Sequence, residues 1–96
     1  MKLATQTELN SFLQKNTSWQ LKGNSILKEF QFQSFLSAIE FMNQASKEIE
    51  KLDHHPDWTN IYTKIIVRLN THDLDGLSNK DFQLAELMDE IFKSFQ

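Results

Sequence analysis

The chain of 96 residues has no cysteine, a single proline, two glycines and one arginine, Arg68. Without cysteine there is no disulfide framework, no thiolate nucleophile, and no zinc-ribbon or iron–sulfur chemistry. Positive charge is in deficit too: 10 basic against 13 acidic residues leave a formal charge of −3. A dedicated nucleic-acid binder normally carries surplus positive charge on one face to displace phosphate counterions, so that class is disfavoured. No apolar run approaches the roughly 18 residues that a membrane span requires. Residues 1–6 lead into polar sequence and offer no signal-peptide core, so the expected location is cytoplasmic.

What the chain does have is aromatic bulk. Hydrophobic residues make up 40%, with eight Phe and two Trp, enough to build a core from large rings. That composition argues against disorder along most of the chain. The length suits one domain, expected to span 1–96, which buries roughly two-thirds of its unfolded surface.

Local patterns then place the elements. Thr5 with Glu8 has the form of a capping box, and Leu9, Phe12 and Leu13 recur at helical spacing to about Lys15. Residues 19–21 read as a short strand, Gly23-Asn24 as a tight reversal, and 26–32 as the returning strand. In that strand Ile26, Phe30 and Phe32 share one face, while Leu27, Glu29 and Gln31 share the other. Ser34 is placed to cap a helix reaching about Leu52, with Phe35, Ile39, Met42, Ala45 (or Ser46), Ile49 and Leu52 as its apolar stripe. Pro56 stops that helix from continuing.

The β-branched run that follows predicts a long strand with Ile61, Ile65, Val67 and Leu69 on one side. A short strand over 55–58 can precede it, with a bend at Thr59-Asn60. Residues 73–77 read as a loop. Ser78 caps a last helix, Asp81 sits at its third position, and Leu84, Met88, Ile91 and Phe95 form its stripe. Hairpins with intervening helices imply an α+β two-layer sandwich: an antiparallel sheet of three to four strands, with three helices on one face.

All three histidines, His54, His55 and His72, fall at junctions between these elements, where a rigid scaffold can aim side chains without disturbing the core. Three readings are open on the residues alone. The histidines can be solvated loop residues, or cap the preceding helix through its dipole. They can be metal ligands, although adjacent His54 and His55 diverge and no His-x-x-x-His or Glu-x-x-His spacing is present. Or they can work as general acid and base, since imidazole titrates near neutrality and nearby Asp residues can fix its tautomer.

Taken together, Asp53-His54-His55-Pro56-Asp57-Trp58, Asn60-Ile61-Tyr62-Thr63-Lys64, Thr71-His72-Asp73, Gly76-Leu77 and Asp81 resemble the signature of the pterin-4a-carbinolamine dehydratase family. The likeness also covers Trp19, the Phe-rich strand and the helix over 35–42. It implies a hydro-lyase that expels water from a 4a-hydroxytetrahydropterin, giving the quinonoid dihydropterin in tetrahydrobiopterin recycling. It implies His54 and His72 as the acid–base pair and His55 as a substrate-holding group. Asp53, Pro56, Trp58, Asp81 and Glu50 match supporting or substrate-binding positions.

No metal or other cofactor is implied. The implied partners are the pterin substrate, an aromatic amino acid hydroxylase as the functional partner, and further copies of the chain in a homodimer or homotetramer. Neither nucleic acid nor membrane is among them. One departure is Lys80, where some members carry Arg; it keeps the charge but loses the planar fork. The rival implication is a non-catalytic interaction or assembly module on the same fold, of the kind that helps a transcription factor dimerise.

Overall fold

In the computed structural model, which describes residues 1–96, helix α1 spans Gln6–Lys15. Both arms of its capping box form: Glu8 N–H donates to Thr5 Oγ1 at 3.1 Å, and Thr5 N–H donates to Glu8 Oε1 at 2.8 Å. Strands β1 (Gln20–Lys22) and β2 (Ser25–Gln31) make the first hairpin. Its turn uses Gly23 at φ 59°, the left-handed conformation that glycine adopts without a steric penalty. Helix α2 (Phe35–Leu52) follows, with Ser34 Oγ accepting from Ser37 N–H at 3.1 Å. Strands β3 (Asp57–Ile61) and β4 (Lys64–Leu69) form the second hairpin. A 3-10 turn at His72–Leu74 leads into helix α3 (Asn79–Phe92), and a second one at Lys93–Phe95 ends the chain.

The sheet is antiparallel with order β1-β2-β4-β3, so the α+β two-layer expectation holds with four strands and three α-helices. Ile26, Phe30, Ile65, Val67 and Leu69 point from its inner face into a core of 17 buried side chains. Aromatic rings supply much of that core. Phe30 meets Phe41 at 5.0 Å, and Phe12 stacks on Phe82 at 4.6 Å, which joins α1 to α3. Each fully buried Phe contributes roughly 1.5–3 kcal/mol. The opposite face carries Leu27, Glu29, Lys64, Ile66 and Arg68, all at least partly exposed.

Several local expectations are corrected. The bend near β3 lies at Tyr62-Thr63, not at Thr59-Asn60. Asn60 Nδ2 donates to the carbonyls of Tyr62 (3.2 Å) and Lys64 (3.1 Å), clamping a two-residue turn with Tyr62 at φ 55°. Paired residues of a hairpin share a face, and Ile61 pairs with Lys64. Ile61 therefore stands 55% exposed on the outer face instead of joining Ile65 in the core. The same turn places β4 inside the sheet, leaving β1 and β3 as its edges.

The buried stripe of α2 is Ala38, Phe41, Ala45 and Ile49, one step round from the expected one, and Phe35 is 44% exposed. Helix α3 buries Phe82 and Ala85 beside Leu84 and Met88, while Ile91 and Phe95 are only half-buried. Helix α2 ends at Leu52, as expected, with a cap of its own ahead of Pro56. Asp53 takes φ 49°, and its N–H and that of His54 bond back to Glu50 O (3.2 Å) and Ile49 O (3.3 Å). A left-handed residue ends the helix.

Candidate active site

The two histidine-bearing junctions lie at the same end of the sheet. β4 ends there, and the chain leaving α2 enters β3 beside it, since Asp57 pairs with Arg68 near the end of β4. A cavity of about 650 Å³ opens between them. Asp53, His54, His55 and Pro56 line it from one side and Asn70, Thr71 and His72 from the other. Lys80, in the first turn of α3, reaches its wall and donates to the Leu52 carbonyl at 3.1 Å, satisfying one free carbonyl at the end of α2.

Each wall is held by backbone bonds. Thr71 N–H donates to Gly76 O at 2.7 Å, Leu74 N–H to Thr71 O at 3.0 Å, and Asp75 N–H to His72 O at 3.1 Å. This fixes the 3-10 turn that presents His72 while leaving its ring exposed. Gly76 has a packing reason as well: a Cβ there would come within 2.7 Å of Leu3 Cδ2. The segment before α1 presses on the turn at that point, and Ala4 N–H donates to Leu77 O at 2.8 Å.

The three imidazoles differ in surroundings. His54 is buried, and its Nε2 lies 2.6 Å from Asp81 Oδ1. Asp81 is fully buried at the third position of α3, and its Oδ2 accepts from Ser78 N–H and Thr71 Oγ1, each at 2.9 Å. Two donors and an imidazole nitrogen converge on this carboxyl, an arrangement suited to a carboxylate, which only accepts. His55 is different: its Nε2 meets Glu50 Oε2 at 2.9 Å with both side chains exposed, so the pair contributes little stability. His72 stands in the open cavity mouth.

Of the residues expected from the sequence, Asp53, His54, His55, Pro56 and His72 come together on the cavity wall. Asp81 and Glu50 reach it through His54 and His55. Trp58 does not line the cavity; it is half-buried on the inner face of β3, against the core. Thr71 and Ser78 were legible only as a motif letter and a helix cap, yet their hydroxyls lie 2.6 Å apart behind Asp81. A parity signal marks Thr71: it continues the inward series Ile65, Val67, Leu69 with a polar residue.

The structure is that of a small α+β protein: a four-stranded antiparallel sheet backed by helices, with a cavity at one sheet end that is lined by the carboxylate-held His54 and by His72. The chain belongs to the pterin 4 alpha carbinolamine dehydratase family, whose family model matches residues 2–91. It is 44% identical over 92 residues to a Prochlorococcus marinus (strain NATL2A) protein provisionally named pterin-4-alpha-carbinolamine dehydratase, covering 96% of this chain and 97% of that one. A crystal structure from Brucella melitensis, described as a transcriptional coactivator/pterin dehydratase, matches with a TM-score of 0.88 and 38% identity. It covers 94% of this chain and 98% of the Brucella chain. A pterin dehydratase-like protein described as a RuBisCO assembly factor of the alpha-carboxysome shares the fold at a TM-score of 0.64 and 20% identity, covering 76% and 84% of the two chains.

Proposed function

We propose that the protein is a 4a-hydroxytetrahydropterin dehydratase, a hydro-lyase working by histidine general acid–base catalysis. The observation that carries this reading is that His54 and His72 line the same cavity, with only His54 tied to a buried carboxylate. Two imidazoles in unlike environments are what an elimination of water needs. One proton must be delivered to the departing C4a hydroxyl, and one must be taken from N5. As the C4a–O bond breaks, the N5–H electrons form the C=N bond of the quinonoid dihydropterin, and water leaves. Protons in and out balance, so no metal, nucleotide or covalent intermediate enters.

His54 and His72 are the acid–base pair on this reading. His55, braced by Glu50, holds the substrate together with Asp53 and Pro56, and the volume of about 650 Å³ lies within the range of small-molecule sites. The substrate would come from an aromatic amino acid hydroxylase, its functional partner, in a cytoplasmic setting. Homodimers or homotetramers fit the two edge strands, and sedimentation checks that directly.

Stopped-flow absorbance of freshly generated 4a-hydroxytetrahydropterin tests the activity. The protein should accelerate its decay over the blank. His54→Ala and His72→Ala should each lower turnover by about 10²–10⁴-fold. No acceleration by the wild-type protein would overturn the reading.

One observation favours a second role as an interaction module. Phe35, Leu36, Ile61 and Tyr62 are 44%, 75%, 55% and 73% exposed. The Phe32 N–H to Thr63 O bond of 2.8 Å draws the start of α2 and the β3–β4 turn to one end of the sheet, away from the cavity. Such a surface suits a protein partner. Substitutions there should spare turnover and alter assembly.

A further inference from the structure

We propose that Thr71 and Ser78 are positioning residues that set the tautomer of His54 through Asp81. The argument is a count of hydrogens. Each hydroxyl has one to give, and a carboxylate has none. Thr71 Oγ1 spends its hydrogen on Asp81 Oδ2 at 2.9 Å. In the 2.6 Å contact between the two hydroxyls, Ser78 is therefore the donor. Ser78 N–H is the second donor to Oδ2, also at 2.9 Å. The hydroxyl chain Ser78 to Thr71 to Asp81 therefore runs in one direction and ends on the carboxylate.

With Oδ2 occupied by two donors, Oδ1 faces His54 Nε2 at 2.6 Å and can only accept. The proton of neutral His54 therefore sits on Nε2. Its Nδ1 makes no hydrogen bond, and no buried side-chain nitrogen or oxygen in the protein lacks a partner, so Nδ1 reaches the surface. The surface to which His54 contributes is the cavity wall. The hydroxyl pair thereby presents a bare ring nitrogen, Nδ1, to whatever occupies the cavity. It also offsets the cost of enclosing Asp81, which is 0% exposed. If the Thr71 hydroxyl is removed, the carboxyl loses a donor and is free to turn, and the ring is no longer held to one tautomer.

Only the kinetic arm of the test rests on the dehydratase reading. Long-range ¹H–¹⁵N spectra of the labelled protein, at a pH where imidazoles are neutral, report which nitrogen of His54 carries the proton. The wild-type protein should show Nε2–H with bare Nδ1. Thr71→Val should shift the His54 signals toward the average of a free imidazole, Thr71→Ser should restore them, and Ser78→Ala should move them part of the way. Turnover of Thr71→Val should fall about tenfold with KM unchanged.

A wild-type His54 protonated at Nδ1 overturns the proposal, and so do wild-type ring signals in folded Thr71→Val. Should that variant not fold, unchanged signals in Ser78→Ala overturn it equally. Ring signals that follow the expected pattern in a protein without dehydratase activity would support the proposal while removing the catalytic reading.

Discussion

Helices α1 and α3 begin with the same four-residue pattern and put it to different use. Thr5 is followed three residues on by Glu8, and Ser78 by Asp81; in each pair the acidic side chain accepts the N–H of the cap residue. The two starts are neighbours, joined by the Ala4 N–H to Leu77 O bond. Glu8 is exposed, and its carboxylate holds no histidine. Asp81 is fully enclosed, one methylene shorter, and holds His54 with its second oxygen. Closing a helix is thus one task of this motif. Burial plus a titratable partner turns the same carboxylate into part of a site.

The largest effect should separate the two starts outright. Asp81→Asn replaces an acceptor with an amide that has its own hydrogens to place beside three donors. Turnover should fall by about 10²-fold or more, comparable to losing a positioned acid–base group. Stability should fall by about 2 kcal/mol, since hydrogen bonds to a charge are lost in a buried place. Glu8→Gln should leave turnover at the wild-type level. The comparison breaks if the two variants have the same turnover, which stopped-flow kinetics and thermal melts of both decide.

A second carboxylate of α3 sharpens the contrast. Asp89 accepts from Trp19 Nε1 at 3.0 Å and pairs with Lys28 Nζ at 2.6 Å, with the Lys28 side chain only 13% exposed. That ammonium also lies 4.6 Å from the centre of the Phe30 ring. Like Asp81, Asp89 lies on α3 and is held by donors from other elements, but neither it nor its partners line the histidine cavity. Asp89→Asn should therefore cost about 2 kcal/mol of stability and no turnover. A kinetic defect here at full folding would show that a held carboxylate on α3 need not face the cavity to matter.

Much of this was readable in advance. Period-2 patterning and cap residues place the three helices and the first hairpin, because each signal is local. The misplaced β3–β4 turn shows the limit: a two-residue turn flips the parity of Ile61 relative to Ile65, and no strong turn pair such as Asn-Gly marks Tyr62-Thr63. The stripe of α2 slipped because Phe35, Ile39 and Met42 are as apolar as the residues that are buried; packing decides between them. The histidine junctions stood out from placement and resemblance. The hydroxyls behind Asp81 did not, since Thr71 and Ser78 meet only after β4, the 3-10 turn and α3 have folded together. A carboxylate at i of a helix whose i+3, i+4 and i+7 positions are Leu84, Ala85 and Met88 was nevertheless a sign that Asp81 would be enclosed.

The smallest expected effect concerns Glu8 alone. Its carboxyl is held below the ordinary 4.5, first by the Thr5 N–H, then by the Thr5 hydroxyl; desolvation opposes the shift, and Lys2 and Asn79 add smaller contributions to it. A carboxyl depressed by folding adds stability that is fully present above its unfolded value, and that is lost as pH falls through the folded one. Wild-type protein should therefore exceed Glu8→Gln in denaturant midpoint at neutral pH. The gap should begin to close below pH 4.5 and vanish at more acid pH. Because Glu8 is exposed, the gap should also shrink in high salt. A gap that stays constant through the acid range would mean that the α1 cap owes nothing to the charge of Glu8. The difference between the two helix starts would then rest on Asp81 alone.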